Sequence, residues 1–276
     1  MLLDGARIGE IDLRHVQRAD RISLLGVRAR VLYDDYSSWS TGAPGQNFHQ
    51  LDGFRYDSFG NDPFGDTPVD AAGRIAWLKK QFAPSNNFRP QPWIWLAKVL
   101  ADMGHVDDAR AVSMAKFDEQ LRTRSVTGPT ALALRAYGAL YGYGYLPLRL
   151  LAWVTGIWLI AALLYLAASD ANLMRPTDGG ILASKKSVCA ASWTDCAPLA
   201  EVYPRFNAFA YSLDVILPIS GLQQAKSWTP LTTDPIGKGY SALGVATAVF
   251  ALFERLFGWL AGLMLVSVAS GLVKRS

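Results

Sequence analysis

Two stretches of the chain carry almost no polar position. Residues 150–168 read LLAWVTGIWLIAALLYLAA, without a charge or a proline. About nineteen residues at ~1.5 Å each reach about 29 Å, enough to cross the hydrocarbon core of a bilayer. Buried helices of soluble proteins usually carry a polar stripe, so this run predicts a transmembrane helix. Residues 256–273 read LFGWLAGLMLVSVASGLV and are closed by Lys274 and Arg275. Apolar sequence also precedes them, so a helix is predicted over 241–273 with 256–273 as its membrane core. Glu254 and Arg255 interrupt it. A charge at the bilayer centre costs roughly 2.5–3.5 kcal/mol. The cheaper register sets Glu254 and Arg255 at the outer interface and Lys274 and Arg275 at the inner one.

The polar pattern before the first run has two textures. Residues 1–65 show short alternations, as at Ile8, Ile11 and Leu13 and again at Ile22 and Leu24, broken by Gly and Asp. These predict short strands, with a loop over 37–45. Leu3-Asp4-Gly5-Ala6-Arg7-Ile8 is echoed by Leu51-Asp52-Gly53-Phe54-Arg55-Tyr56. Such an echo suggests the end of a β-solenoid, whose rungs bury only part of their faces alone. Over 70–126 the period turns helical, at Ile75, Leu78 and Phe82. One helix follows Arg89-Pro90-Gln91-Pro92 and stops near Gly104, and the next opens at Asp107 and Asp108, where the helix dipole favours acids. This helical hairpin is similar to one tetratricopeptide-type unit, with Trp77, Trp93 and Trp95 expected in its core. Residues 127–149 form a juxtamembrane segment, with Tyr141, Tyr143 and Tyr145 suited to a membrane–water belt.

Residues 169–240 join the two spans. Phe206, Phe209, Ala210, Leu213 and Leu217 share a helical face, predicting a helix over 205–217 that Pro218 ends. It either lies flat on the outer leaflet or re-enters the membrane. Asp214 on this helix faces water in the first case; in the second it needs a partner, with Arg205 and Lys226 nearest in sequence. Gly258 and Gly262 on the second span, and Ala152 and Gly156 on the first, are small residues that let backbones approach in lipid. They predict contact between the two spans, or a homo-oligomer through the same face. The fold class is then an α+β membrane protein: a short β-solenoid-like N-terminal part, a helical hairpin, and two transmembrane helices with an intervening outer-loop helix.

Composition narrows this further. Of 276 residues, 51% are hydrophobic and 18% charged, too apolar for disorder and too polar for a chain wholly in lipid. A net charge of +4 gives no reason to expect a nucleic-acid partner. The opening MLLDGARIGEID lacks a basic region followed by an apolar run, so no secretory signal is read there. The residues before the first span are then cytosolic, on the side of Arg135, Arg149, Lys274 and Arg275, and both termini are cytoplasmic. The joining loop is periplasmic. It holds the two cysteines, Cys189 and Cys196. An oxidising compartment would join them, and closing an eight-residue loop contributes about 2.5 kcal/mol by chain entropy. The alternative is two unpaired thiols.

Chemistry is poorly announced. The chain has no GxGxxG after a strand, no CxxC, no Walker A loop and no GxSxG elbow. His15, His49 and His105 lie far apart. Asp34-Asp35 and Asp107-Asp108 read as solvated turn and helix-start residues. No catalytic, cofactor-binding or metal-ligating residue is assigned.

Several fragments together resemble a group of bacterial proteins: Leu51-Asp52-Gly53-Phe54-Arg55-Tyr56, Arg89-Pro90-Gln91-Pro92-Trp93, Ala109-Arg110-Ala111-Val112, Tyr141-Gly142-Tyr143-Gly144-Tyr145-Leu146-Pro147, and Tyr211-Ser212-Leu213-Asp214-Val215-Ile216-Leu217-Pro218-Ile219. The group carries a pentapeptide-like or other β-solenoid region followed by a two-span tail and is often labelled a membrane-associated oxidoreductase. The resemblance implies the bacterial inner membrane; its oxidoreductase label finds no cofactor motif here. The order span, short helix, span is also similar to two-span potassium-type channels, but Ile219-Ser220-Gly221-Leu222-Gln223-Gln224 stands where the filter would be. The expected function is a cytosolic docking module held at the lipid bilayer, with a protein partner and no catalysis. An oligomeric channel-like protein with a remodelled filter is the second reading. An enzyme is the third, and would need a cofactor that no motif announces.

Overall fold

The computed structural model describes residues 3–14, 21–35, 48–60, 69–79, 88–185, 188–189, 192–217, 221–233 and 239–270. His15, the expected loop 37–45, Phe82, Pro218, Lys274 and Arg275 lie outside these residues. The chain mixes helices with small sheets and divides into two compact units, Met1–Tyr145 and Leu146–Ser276.

The first unit opens with strands β1 (Arg7–Asp12), β2 (Arg21–Ser23), β3 (Arg28–Tyr33), β4 (Phe48–Gln50) and β5 (Arg55–Phe59). β1, β3 and β5 pair in parallel, as do β2 and β4. Three successive passes of chain therefore stack on one another. The stacking unit is Leu-x-Gly-x-Arg, at Leu3-Asp4-Gly5-Ala6-Arg7, Leu24-Leu25-Gly26-Val27-Arg28 and Leu51-Asp52-Gly53-Phe54-Arg55. The middle copy is one that the echo between the outer two did not reveal. Each glycine has a positive φ, +73°, +66° and +73°, a conformation open to Gly at little steric cost. A Cβ on Gly53 would also come within 3.1 Å of the Gly26 Cα. The turns bond to each other: the Gly5 N–H donates to the Leu25 carbonyl and the Gly26 N–H to the Asp52 carbonyl. Leu13, Leu24, Val27, Leu32, Leu51 and Phe54 fill the interior, all buried.

Among the described residues of this unit the α-helices that follow are α1 (Ala71–Lys79), α2 (Pro90–Asp102), α3 (Val106–Arg122) and α4 (Gly128–Tyr141). α2 closes the last pass of the stack. The Gln91 side chain accepts from the Gly53 N–H and donates to the Phe54 carbonyl, and Trp95 Nε1 donates to the Tyr56 carbonyl. A further strand would have supplied the same bonds, so the edge of β5 is covered. Asp34 and Arg74 join the stack to α1 by two 2.7 Å bonds, both side chains buried. This corrects the solvated reading of Asp34. The physical reason is that Arg74 is itself buried, with its guanidinium over the Phe59 ring, and a buried cation needs a carboxylate.

The tyrosine belt also fails for two of its members. Tyr141 and Tyr143 are buried in the first unit. Tyr143 stacks on Phe117, its hydroxyl donates to Asp118 at 2.6 Å, and a Cβ on Gly138 would strike its ring. Gly142-Tyr143-Gly144 is a tight turn that carries this tyrosine back onto its own unit.

The second unit begins with α5 (Pro147–Asp170). Then come β6 (Met174–Pro176), α6 (Gly179–Lys185), α7 (Ala197–Ala200), α8 (Ala208–Ile216), α9 (Gln224–Ser227), β7 (Trp228–Pro230) and α10 (Ala242–Ala269). β6 and β7 pair antiparallel. α5 and α10 are each long and apolar enough to cross a membrane. Cys189 and Cys196 stand at bonding distance, S–S 2.04 Å, in the connection between β6 and α7. Tyr165, Met174, Tyr211 and Trp228 form the core of this unit, together with Cys189 and Leu199.

Candidate functional site

Among the described residues of the second unit, one carboxylate is fully buried. Glu254 lies on α10 with no exposed surface. Its place follows from the pattern of that helix. Gly244, Thr247, Glu254, Gly258 and Ala261 are buried while Val245, Val249, Leu252, Leu256 and Leu263 are exposed. The inward stripe sets small residues three, four or seven apart, with Phe257 beside them, and Glu254 is the single acidic group in it.

Three elements meet at Glu254. Tyr165 on α5 donates to Oε2 at 2.7 Å, and Ser212 on α8 donates to Oε1. Ser212 Oγ also lies 3.0 Å from the Trp158 carbonyl on α5. The ring of Tyr211 meets that of Tyr165 edge to face at 4.6 Å and closes the cluster from α8. α8 is held against α5 a second time, by Trp158 Nε1 donating to the Phe209 carbonyl at 3.1 Å. Asn207 begins α8 by accepting from the Ala210 N–H.

This geometry suits a carboxyl group in either protonation state. An ionised Glu254 accepts from both hydroxyls. A protonated Glu254 donates through Oε1 to Ser212 Oγ, and the serine proton turns to the Trp158 carbonyl, which is already within reach. The cluster can therefore hold or release a proton without leaving a buried group unpaired.

The sequence-derived site residues fall out as follows. Glu254, expected as an interfacial anchor, is buried inside the unit. It points between α5 and α8, because two hydroxyls and a stripe of small residues make room for it there. Arg255, its neighbour, is exposed. Asp214 is half-buried and accepts from the Ala225 backbone N–H at 2.8 Å. Gly258 does not pack on the small pair of α5: its missing Cβ would sit 1.8 Å from the Ile216 carbonyl, at the end of α8. Gly262 and Gly156 have no atom within 4 Å of such a Cβ, and Ala152 is exposed. α5 and α10 do touch, and the hydrogen bond from Tyr165 to Glu254 joins them. The periodicity of small residues on α10 was the available signal for Glu254, since a charge at the next inward step belongs to the same face.

Among the described residues no group of three His, Cys, Asp or Glu side chains is disposed to hold a metal ion. No protein-family model, curated protein or solved structure matches the chain.

Proposed function

We propose that this chain is a two-span protein of the bacterial inner membrane whose N-terminal unit is a docking module on the cytosolic side, without catalysis of its own. The observation that carries the reading is the inverted distribution of side chains on α5 and α10. Only 22% of the apolar window of each helix is buried within the structure. Leu159, Ile160, Leu163, Leu256, Leu260 and Leu263 are exposed, while the sides that meet carry small residues and the Glu254 cluster. Water would make that arrangement unfavourable by about 25 cal/mol for each Å² of apolar surface; lipid does not. The bonded Cys189 and Cys196 fit an oxidising side for the loop between the helices.

The N-terminal stack we read as a short β-solenoid, consistent with the resemblance to solenoid proteins with two-span tails. Its docking role rests on what such stacks offer, a flat repetitive face fixed by backbone bonding. The test is direct. The full chain should sediment with membranes and resist alkaline carbonate. Reporters at both termini should be active only as cytosolic fusions, and Cys189 and Cys196 should react with a thiol reagent only after reduction. Recovery of the chain in a high-speed supernatant without detergent would overturn the proposal.

A pore is the second reading, and one observation favours it. α8 contacts α5 between Trp158 and Tyr165, inside the apolar run rather than beyond its end. In lipid that helix would be re-entrant. Against a shared pore stands Glu254, whose carboxylate is enclosed within a single chain and so offers nothing to a central axis. Unitary currents from purified protein in planar bilayers would move the assignment to the pore.

A further inference from the structure

The outward face of the N-terminal stack carries an arginine ladder. Arg7 lies opposite Arg28 in the β1–β3 pairing, and Arg28 lies opposite Arg55 in the β3–β5 pairing. Strands in a sheet are about 4.8 Å apart, so the three residues form a row about 10 Å long. Like charges directly opposite each other in a sheet are unfavourable. Arg30 adds a fourth cation. Its Nη2 reaches across Gly9, to within 3.6 Å of where a Cβ on that residue would stand. All four side chains are exposed, and none forms an ion pair with a described residue. The guanidinium of Arg55 is held over the Trp95 ring, 5.2 Å from its centre, and Trp95 is itself fixed by its bond to the Tyr56 carbonyl. The four arginines, Trp95 and Asp57 line a recess of about 530 Å³, with Asp57 as its one carboxylate among the described residues.

We propose that this recess binds an anion built of linked or neighbouring phosphate groups. Three features point to that chemistry. Guanidinium groups match phosphate oxygens in a two-pronged geometry that a carboxylate or phosphate alone can meet. A row of three such groups exceeds the reach of one orthophosphate and suits a chain of phosphates. The strands set the row by backbone bonding, so the cations are held side by side before any ligand arrives, and the ligand relieves their repulsion. Asp57, two residues beyond Arg55 on β5 and across from Arg30 in the β3–β5 register, repels an anion at that end and favours the Arg7–Arg28–Arg55 side. The recess is built whether or not α5 and α10 lie in lipid.

The test uses the full chain in neutral detergent micelles, with inorganic tripolyphosphate as probe, followed by calorimetric titration and thermal unfolding. Tripolyphosphate should bind more tightly than orthophosphate and raise the unfolding midpoint. Arg28→Gln, at the centre of the row, should weaken binding roughly tenfold or more. Arg28→Lys should recover part of that loss, Asp57→Asn should tighten binding, and Arg110→Gln on α3 should leave it unchanged. Without ligand, Arg28→Gln should unfold no earlier than wild type, since it removes a repulsion; where it fails to fold, Arg7→Gln at the outer strand carries the same comparison. A second arm adds phosphatidic acid to the micelles. An Arg28-dependent rise in the midpoint with that lipid but not with tripolyphosphate supports the site with a lipid headgroup as its source. Equal responses of wild type and Arg28→Gln to both probes, or no response to either, would overturn the proposal.

Discussion

At the scale of single residues, buried polar groups decide most. Tyr56 points into the stack with its hydroxyl unpartnered and buried. Burial holds its phenol far above the usual value near 10, and the nearby Arg74 only partly offsets this. Tyr56→Phe removes a desolvated hydroxyl and should stabilise the first unit by about 1 kcal/mol. The sign of the pH dependence follows from the direction of the shift. Above about pH 10 the unfolded chain releases a proton that native Tyr56 keeps, so the unfolded state binds fewer protons and stability falls as pH rises. Denaturant melts of Tyr56→Phe should show a shallower decline from pH 9 to pH 11 than wild type.

Glu254 gives the opposite case, a buried group with all its partners. Glu254→Ala leaves the Tyr165 hydroxyl without an acceptor and opens a cavity, a loss on the order of 2–4 kcal/mol. Glu254→Gln keeps an acceptor for Tyr165, and its amide can donate to Ser212. It should stay within about 1 kcal/mol of wild type. Thermal unfolding of the purified variants in detergent separates the two. Equal damage from both would mean that the charge, and not the bonding, holds α5, α8 and α10 together.

Between elements, close backbone approach is the controlling quantity. Gly258 lets the end of α8 reach α10, whereas Gly262, one turn further on, faces open space. Gly258→Ala should therefore destabilise the second unit by roughly 1–3 kcal/mol, because the neighbour is a backbone carbonyl that cannot rotate away. Gly262→Ala should be neutral within about 0.5 kcal/mol. Had the two glycines served one interface with α5, both changes would be harmful; protease resistance of the two variants in detergent is a sufficient readout. The same logic explains the stack. Gly5, Gly26 and Gly53 sit at positive φ with their turns bonded in sequence, so the register of three short strands is set at the turns.

For the molecule as a whole, the two units depend on different stabilisers. The first is closed by a hydrophobic interior, a buried ion pair and a helix that replaces a strand at its edge. The second combines apolar helices with a loop region clipped by Cys189 and Cys196. Replacing both cysteines with serine should lower the stability of the second unit alone, by about 2.5 kcal/mol from the lost loop constraint. Reductant should do the same to wild type and nothing to the double variant. Separate unfolding transitions for the two units, followed by tryptophan emission and by cysteine-independent proteolysis, would give the measurement.

Some of this was legible in the sequence. A run of about nineteen apolar residues needs no periodicity to be read, because length and the absence of charge suffice, and residues 150–168 fall within α5. Helix starts near the Arg89-Pro90-Gln91-Pro92 segment and near Asp107 were visible because proline and dipole preferences are local, although α2 opens at Pro90, inside that segment rather than after it. The middle turn Leu24-Leu25-Gly26-Val27-Arg28 was not. Its spacing from the outer copies is unequal, 21 and 27 residues, since the passes differ in length, and an irregular period hides a repeat. Asp34, Glu254 and Gly258 were misjudged for one shared reason. Each is placed by a partner remote in sequence: Arg74, Ser212 with Tyr165, and the Ile216 carbonyl. By itself the sequence determined which segments are helical and apolar, since those preferences are written in neighbouring residues. Only the tertiary structure decided which polar groups are enclosed and where the arginines line up, because enclosure and register arise when distant segments are brought to one place.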